Sequence, residues 1–393
     1  MVSKSSYDMN PAPHKPGAPF VKSTRPRDRV NGAISHRRTD RTPRDFAAVP
    51  EVWRQLQEHF ETSERSEVLA RLGVDCRIIS YDSFCHDPGV DPAEVDWEAS
   101  QERSSLSGMW RRVLPDGSNR DIWGAHRRRV ANAFGTLDQF ASHPLAEAAS
   151  LEDLQQYRWP EPAWWDFRAV PQAISALNEK AVFHIRYRAG SVFETAWSLV
   201  GFERFLSDLA LQPELPAYIM ERIAEVHLAN LESVLRLAGD QIDLVYFYDD
   251  LASQNGLLIS TGMYDRFLRK HHQGLIDLAA RYGKRAMLHC CGSVYPLLPQ
   301  LIEMGLAVLN PVQPRAKNMA HAKLAREFGG RIAFHGGIDI QDFLPRATPD
   351  QVREHVTATT EILGAQGGYI MSGSHHIQAD TPLVNILAMY EVI

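Results

Sequence analysis

Residues 285–305 read RAMLHCCGSVYPLLPQLIEMG. An apolar run of strand length leads into His289, Cys290 and Cys291, and a helix-like run follows over 294–304. This strand–loop–helix unit recurs along the chain. Strand-like runs lie at 42–47, 76–81, 182–187 and 242–247, and again at 285–289, 306–310, 331–335 and 368–372. Most are continuous apolar runs, as strands buried on both faces should be. Helical patterns fill the gaps at 50–72, 213–238, 263–282, 318–328, 349–363 and 383–391. Strands alternating with helices predict parallel βαβ units. Eight such units predict an α/β fold, a single (β/α)8 TIM barrel over residues 24–393. No G-x-G-x-x-G follows the first strand, which argues against an open dinucleotide-binding sheet.

One region breaks the rhythm. Within 85–165, MWRRVLPDGSNRDIWGAHRRRV places two strand-like runs around Asp116-Gly117, a hairpin signal. It reads as an insertion after the second strand that caps the barrel. Residues 1–23, rich in Pro, Ser and Lys, read as a disordered tail without the apolar core of a signal peptide. The net charge of −6 argues against a general nucleic-acid binder, and the basic stretches at Lys15–Arg44 and Arg127–Arg129 read as solvated surface. Four cysteines in 393 residues are too few for a disulfide scaffold and suggest a reducing, cytoplasmic setting. No apolar run is long enough to span a membrane.

In a TIM barrel the chemistry sits on the loops after the C-terminal strand ends. The polar residues expected there begin with Asp45 after the first strand and Asp82 after the second. The third offers Arg186, Arg188 and Glu194, and the fourth Tyr248, Asp249, Asp250 and Gln254. His289 and Cys291 follow the fifth, Asn310 and Gln313 the sixth, His335 and Asp339 the seventh. Ser374, His375 and His376 follow the eighth. So many ionisable groups on one rim predict an active site, because each alone prefers water to a barrel mouth.

His289 and Cys291 are two apart at a strand end, so their side chains share a face, while Cys290 points into the packing. A His-x-Cys pair offers a nitrogen and a thiolate to zinc, and a catalytic zinc needs a third protein ligand beside an open position. The loop SGSHHI could supply it from His375 or His376. The bland alternative is a hydrogen-bonded core histidine beside a buried thiol.

HCCGSVYPLLPQLIEMGLAVLNPVQP, FHGGID and GGYIMSGSHHIQADTPLVNILAMYE resemble the uroporphyrinogen decarboxylase-like superfamily, which includes uroporphyrinogen decarboxylase and zinc-dependent cobalamin methyltransferases. The resemblance begins at RPRDRVNGAISHRRTDRTPRDF and covers nearly the whole chain beyond the tail. It implies a single barrel. The decarboxylase branch carries an Arg-Gln-Ala-Gly-Arg stretch after the first strand. Here PRDFAAVPEVW stands in its place, although Asp82 is similar to the aspartate that faces the tetrapyrrole in that branch. The methyltransferase branch binds zinc through His-x-Cys-Gly and a later cysteine; this chain keeps His289 and Cys291 and has His375 where that cysteine stands.

The resemblance therefore implies zinc-dependent transfer of a methyl group from a methylcorrinoid, carried by a corrinoid protein, to a thiol. His289, Cys291 and His375 would hold Zn2+, and Asp249, Asp250 or Glu194 would orient the acceptor or take its proton. Arg186 and Arg188 would grip an anionic small-molecule substrate, with Tyr248, Gln254, Asn310, Gln313, His335 and Asp339 around it. The runner-up is a metal-independent decarboxylase of porphyrin metabolism, with Asp82 as charge partner. A third reading is a non-catalytic corrinoid-binding barrel. A barrel end or the insertion offers a surface for a homodimer.

Overall fold

Seven parallel strands form one curled sheet in the computed structural model, which describes residues 20–21, 25–96, 109–132 and 135–391. The expected tail over 1–23 falls almost wholly outside them. The first strand of this sheet is β1 (Cys76–Ser80). A separate antiparallel sheet follows, made of β2 (Val95–Asp96), β3 (Arg111–Val113), β4 (Asn119–Arg120), β5 (His126–Asn132) and β6 (Gly135–Ser142). The curled sheet resumes with β7 (His184–Gly190), β8 (Leu244–Tyr248) and β9 (Arg285–His289), then β10 (Val308–Val312), β11 (Ala333–Ile338) and β12 (Tyr369–Gly373). Its order is β12-β11-β10-β9-β8-β7-β1. These strands are buried along almost their whole length, which is why their sequences are continuous apolar runs.

The run at 42–47 behaves differently from the expectation of a strand. It makes only isolated bridges, Arg44 to Met371 and, just beyond it, Ala48 to Ile377. Pro43 has no N–H to extend a ladder. The segment still touches both edges of the sheet. The Asp45 amide donates to the Met371 carbonyl, and the Asp75 amide, just before β1, donates to the Arg44 carbonyl, each at 2.9 Å. Both edges thus meet on one stretch, and the sheet is barrel-like.

Four helices matter most for placing the site: α1 (Pro26–Ile34), α2 (Phe193–Val200), α3 (Glu214–Ala238) and α4 (Arg269–Arg281). Val30 and Ile34 of α1 join an apolar cluster with Cys76, Leu244 and Met287, side chains from the N-terminal half of the curled sheet. That end is therefore closed. The helical patterns at 50–72 and 263–282 each break in two, into Pro50–His59 and Arg65–Arg71, and into Thr261–Phe267 and α4. In the first, Glu61 takes a left-handed φ of 52°, which no helix continues through. Among the described residues no helix is long and apolar enough to cross a membrane.

The antiparallel sheet hangs from the C-terminal end of β1. Its β3–β4 hairpin turns at Asp116-Gly117, where Gly117 has φ 78°. The two stems of the segment are zipped together. Cys85 bridges Trp165, the His86 amide donates to the Trp164 carbonyl at 2.7 Å, and the Asp166 amide donates to Phe84 at 2.9 Å.

Candidate metal centre and adjoining cavities

Register builds the centre. Tyr248, His289 and Asn310 stand side by side on β8, β9 and β10. In-register neighbours project the same way, so the Asn310 amide oxygen meets His289 Nδ1 at 2.6 Å. That acceptor holds the proton on Nδ1 and leaves the Nε2 lone pair open. Asn310 Nδ2 in turn donates to His335 Nδ1, and His335 Nε2 donates to Asp45 Oδ2 at 2.9 Å. Arg186 closes this chain on the same Asp45 oxygen. Burial works against an ionised Asp45, but Arg186 and His335 hold its carboxyl well below the usual carboxylate range.

Cys291 Sγ lies 3.4 Å from His289 Nε2, in the turn after β9. The Cys291 amide donates to Asp250 Oδ1 at 2.7 Å. The next residue has to be glycine: Gly292 has φ 77°, and a Cβ there would sit 2.4 Å from the Ser253 carbonyl oxygen. Cys290 faces the other way, fully buried, its sulfur accepting from the Leu251 amide at 3.3 Å. His375 comes over from the loop after β12, its ring 5.8 Å from that of His289. The ligand atoms of His289, Cys291 and His375 all lie within 4.8 Å of one another, a group able to hold a metal ion. Burial and the nearby Asp250 carboxylate push the Cys291 thiol up, so its thiolate needs a cation beside it.

The remaining candidates separate into distinct settings. Asp249 is fully buried and turned away from the triad. It accepts from the Val192 and Glu194 amides at the start of α2 and meets His272 of α4 at 2.8 Å. Asp250 stays at the rim, 3.8 Å from His289 Nε2, with its side chain 40% exposed. Glu194 accepts from the Asp250 amide at 3.0 Å. Arg188 pairs with Asp82 at 2.8 Å and lies over the Tyr248 ring, whereas Arg186 is buried against Asp45. Gln254 donates to Gln313 at 2.8 Å, and the Gln313 carbonyl oxygen also accepts from the Gly292 amide. Asp339 accepts from the Gln341 and Phe343 amides.

Three cavities lie at or near the triad. A small one of about 30 Å3, room for one water, lies among Asp45, Arg186, Asn310 and His335, with His289 and His375 above it. A second, of about 350 Å3, is shared between the curled sheet and the antiparallel one; Asp82, Arg188, Glu194, Tyr248 and His376 line it. The third, of about 400 Å3, opens on the other side, with Gln313, Asp339, Ser374 and His375 in its walls. Sequence reasoning did not place Trp110, Arg111, Trp123 and Arg127 on the second cavity. Their aromatic and basic character was visible, but the face they present depends on how the antiparallel sheet folds over the rim.

A family model described as uroporphyrinogen decarboxylase (URO-D) matches residues 138–393. No curated protein matches the sequence. Among solved structures, a methyltransferase from Methanosarcina mazei superposes with a TM-score of 0.61 at 17% identity, covering 94% of this chain and 98% of its own. A GH10 endoxylanase from a sugarcane soil metagenome gives a TM-score of 0.36 at 9% identity, over 57% of this chain and 81% of its own. The first likeness is one of overall fold; the second is too slight to carry anything.

Proposed function

Because the chain belongs to the uroporphyrinogen decarboxylase (URO-D) family, we propose that it is a zinc-dependent methyltransferase on a complete (β/α)8 barrel, moving a methyl group from a methylcorrinoid to a thiol. The observation that carries this reading is the convergence of His289, Cys291 and His375 over a supporting chain of hydrogen bonds. The donor set suits zinc. Ordinary zinc–nitrogen and zinc–sulfur bonds set a tetrahedral N···S edge of about 3.5 Å, against 3.4 Å between His289 and Cys291. A ligand atom of His375 lies within 4.8 Å of both, close enough to join them on one ion. The Methanosarcina mazei protein, whose fold this chain shares, is itself a methyltransferase.

Zinc bound there would supply the positive charge that keeps a thiol ionised at neutral pH. The chain's own residues do the rest. Asn310 fixes the tautomer and tilt of His289, and His335, Asp45 and Arg186 hold Asn310 in turn. Asp250 reaches the rim with a carboxylate able to take the acceptor's proton. Two histidines and one thiolate leave the site about one unit more positive than a one-histidine, two-thiolate site, which favours ionisation of the acceptor while tempering its nucleophilicity.

A second reading, metal-free decarboxylation of a tetrapyrrole-like polycarboxylate, draws on the family match and on one buried carboxylate oxygen of Asp82 that has no hydrogen-bond partner. Against it, Arg186 and Arg188 are already committed to Asp45 and Asp82. Elemental analysis of untagged protein decides between them. About one zinc per chain, lost in both His375→Ala and Cys291→Ser, is expected, with methyl transfer from methylcobalamin to a thiol depending on it. Wild-type protein that takes up no zinc after growth with added metal sinks the methyltransferase reading.

A further inference from the structure

The 350 Å3 cavity has two walls of different origin. Asp82, Arg188, Tyr248 and Trp197 come from the ends of the curled strands and from α2. The facing wall is Trp110, Arg111 and Trp123, from the antiparallel segment. That wall lies before residues 138–393, the stretch the family model matches. Its volume falls in the range of small-molecule sites.

The charges in this cavity mostly answer one another. Arg188 is paired with Asp82 at 2.8 Å, Arg127 with Asp121, and a Glu194 oxygen accepts from the Asp250 amide. Among the described residues that line it, two buried side-chain atoms are left over. Among the described residues Arg111 gives one hydrogen bond, to the Trp110 carbonyl at 3.1 Å, and pairs with no carboxylate; its Nε is buried without a partner. Asp82 spends one oxygen on Arg188, while Oδ1 is buried without a partner and the residue is 5% exposed. A buried donor and a buried acceptor left unmade each cost stability unless a ligand completes them. Trp110, Trp123, Trp197 and Tyr248 line the same cavity and give it aromatic surface suited to a ring.

We propose that this cavity binds a small aromatic carboxylate that also carries a hydroxyl or N–H donor. Its ring lies between the Trp110–Trp123 wall and the Trp197–Tyr248 wall, its carboxylate meets Arg111, and its donor meets Asp82 Oδ1. His376 lines both this cavity and the small one beneath the triad, so the bound compound sits beside the candidate metal centre. The inference deepens the methyltransferase reading and rests on it only for what happens to the bound compound, not for binding.

Calorimetric titration of the full chain with 4-hydroxybenzoate tests this, with benzylamine and cyclohexanecarboxylate as contrasting probes, on zinc-loaded and chelator-treated protein. One 4-hydroxybenzoate per chain is expected in both preparations, with no binding of benzylamine and much weaker binding of the non-aromatic acid. Arg111→Gln should weaken 4-hydroxybenzoate about 10- to 100-fold, the effect of losing a charge-assisted hydrogen bond, and leave phenol binding nearly unchanged. Arg111→Lys keeps the charge and should fall in between; it decides the matter if the glutamine variant loses its melting transition. No binding of 4-hydroxybenzoate, or binding that Arg111→Gln leaves intact, overturns the proposal. Failure of zinc uptake with the aromatic acid still bound would overturn the metal reading alone, and zinc without aromatic binding would overturn this pocket alone.

Discussion

Both ends of the curled sheet carry ionisable groups and use them in opposite ways. At the end closed by α1, Arg29 pairs with Asp40 and Asp75, Arg41 pairs with Asp75, and the Arg44 amide donates to the same carboxylate. These charges meet their opposites. At the other end His289, Cys291 and His375 turn electron-pair donors toward one another, with Asp250 3.8 Å away as a further oxygen. The density of ionisable residues therefore does not separate a scaffold from a site. Several electron-pair donors gathered at one point do, because a single cation can meet all of them at once.

Acid should produce the largest effect, and it acts between the two ends. Burial pushes His184, His227 and His321 down to about 4. The unfolded chain takes up these protons below about pH 6.5 and the folded chain only below about pH 4, so stability present above 6.5 is lost as pH falls through that window. Each histidine contributes up to ~3 kcal/mol to that loss. A urea midpoint that stays level from pH 7 to pH 4.5 would contradict it.

Breaking the closed end comes next. Asp75→Ala leaves Arg41 without its carboxylate and Arg29 with Asp40 alone, and should cost about 3–5 kcal/mol in urea unfolding. Zinc bound per folded chain should not change; a loss of zinc at unaltered stability would mean the two ends are not independent. At the open end the expectation reverses. Asn310→Ala removes the partner of His289 Nδ1 and should weaken zinc about 10- to 100-fold in chelator competition. Equal affinity in wild type and variant would remove Asn310 from the centre. The smallest effect should come from Arg315→Ala on the rim. Arg315 and Asp342 meet at 2.8 Å but are 45% and 43% exposed, so the change should stay below about 1 kcal/mol by thermal melting.

Much of the scaffold was legible because long buried strands write themselves as apolar runs. The runs at 76–81, 242–247 and 285–289 lie within two residues of β1, β8 and β9. The triad was legible for a different reason: His-x-Cys places two donors on one face, and the resemblance pointed to His375. Lateral relations were not. Asp249 and Tyr248 are adjacent at a strand end, and alternation sends one toward α2 and α4 and the other toward the barrel mouth. Asn310, His335 and Asp45 read as separate rim residues, yet strand register joins them into one support behind His289. No local pattern states which strands neighbour each other or at what level. The aromatic wall from 109–123 depends on contacts of still longer range.

The zipped stem of the antiparallel segment has a consequence for how such a protein changes over generations. Cys85 and Trp165 are held together by backbone bonds of their own, so about eighty intervening residues enter and leave the rim at one point. A segment anchored in this way can be exchanged as a cassette, with its replacement closing on the same backbone bonds. The donors over β9, β10 and β12 lie outside it and would be inherited unchanged. Chemistry and the choice of what is presented to it can then drift on separate clocks.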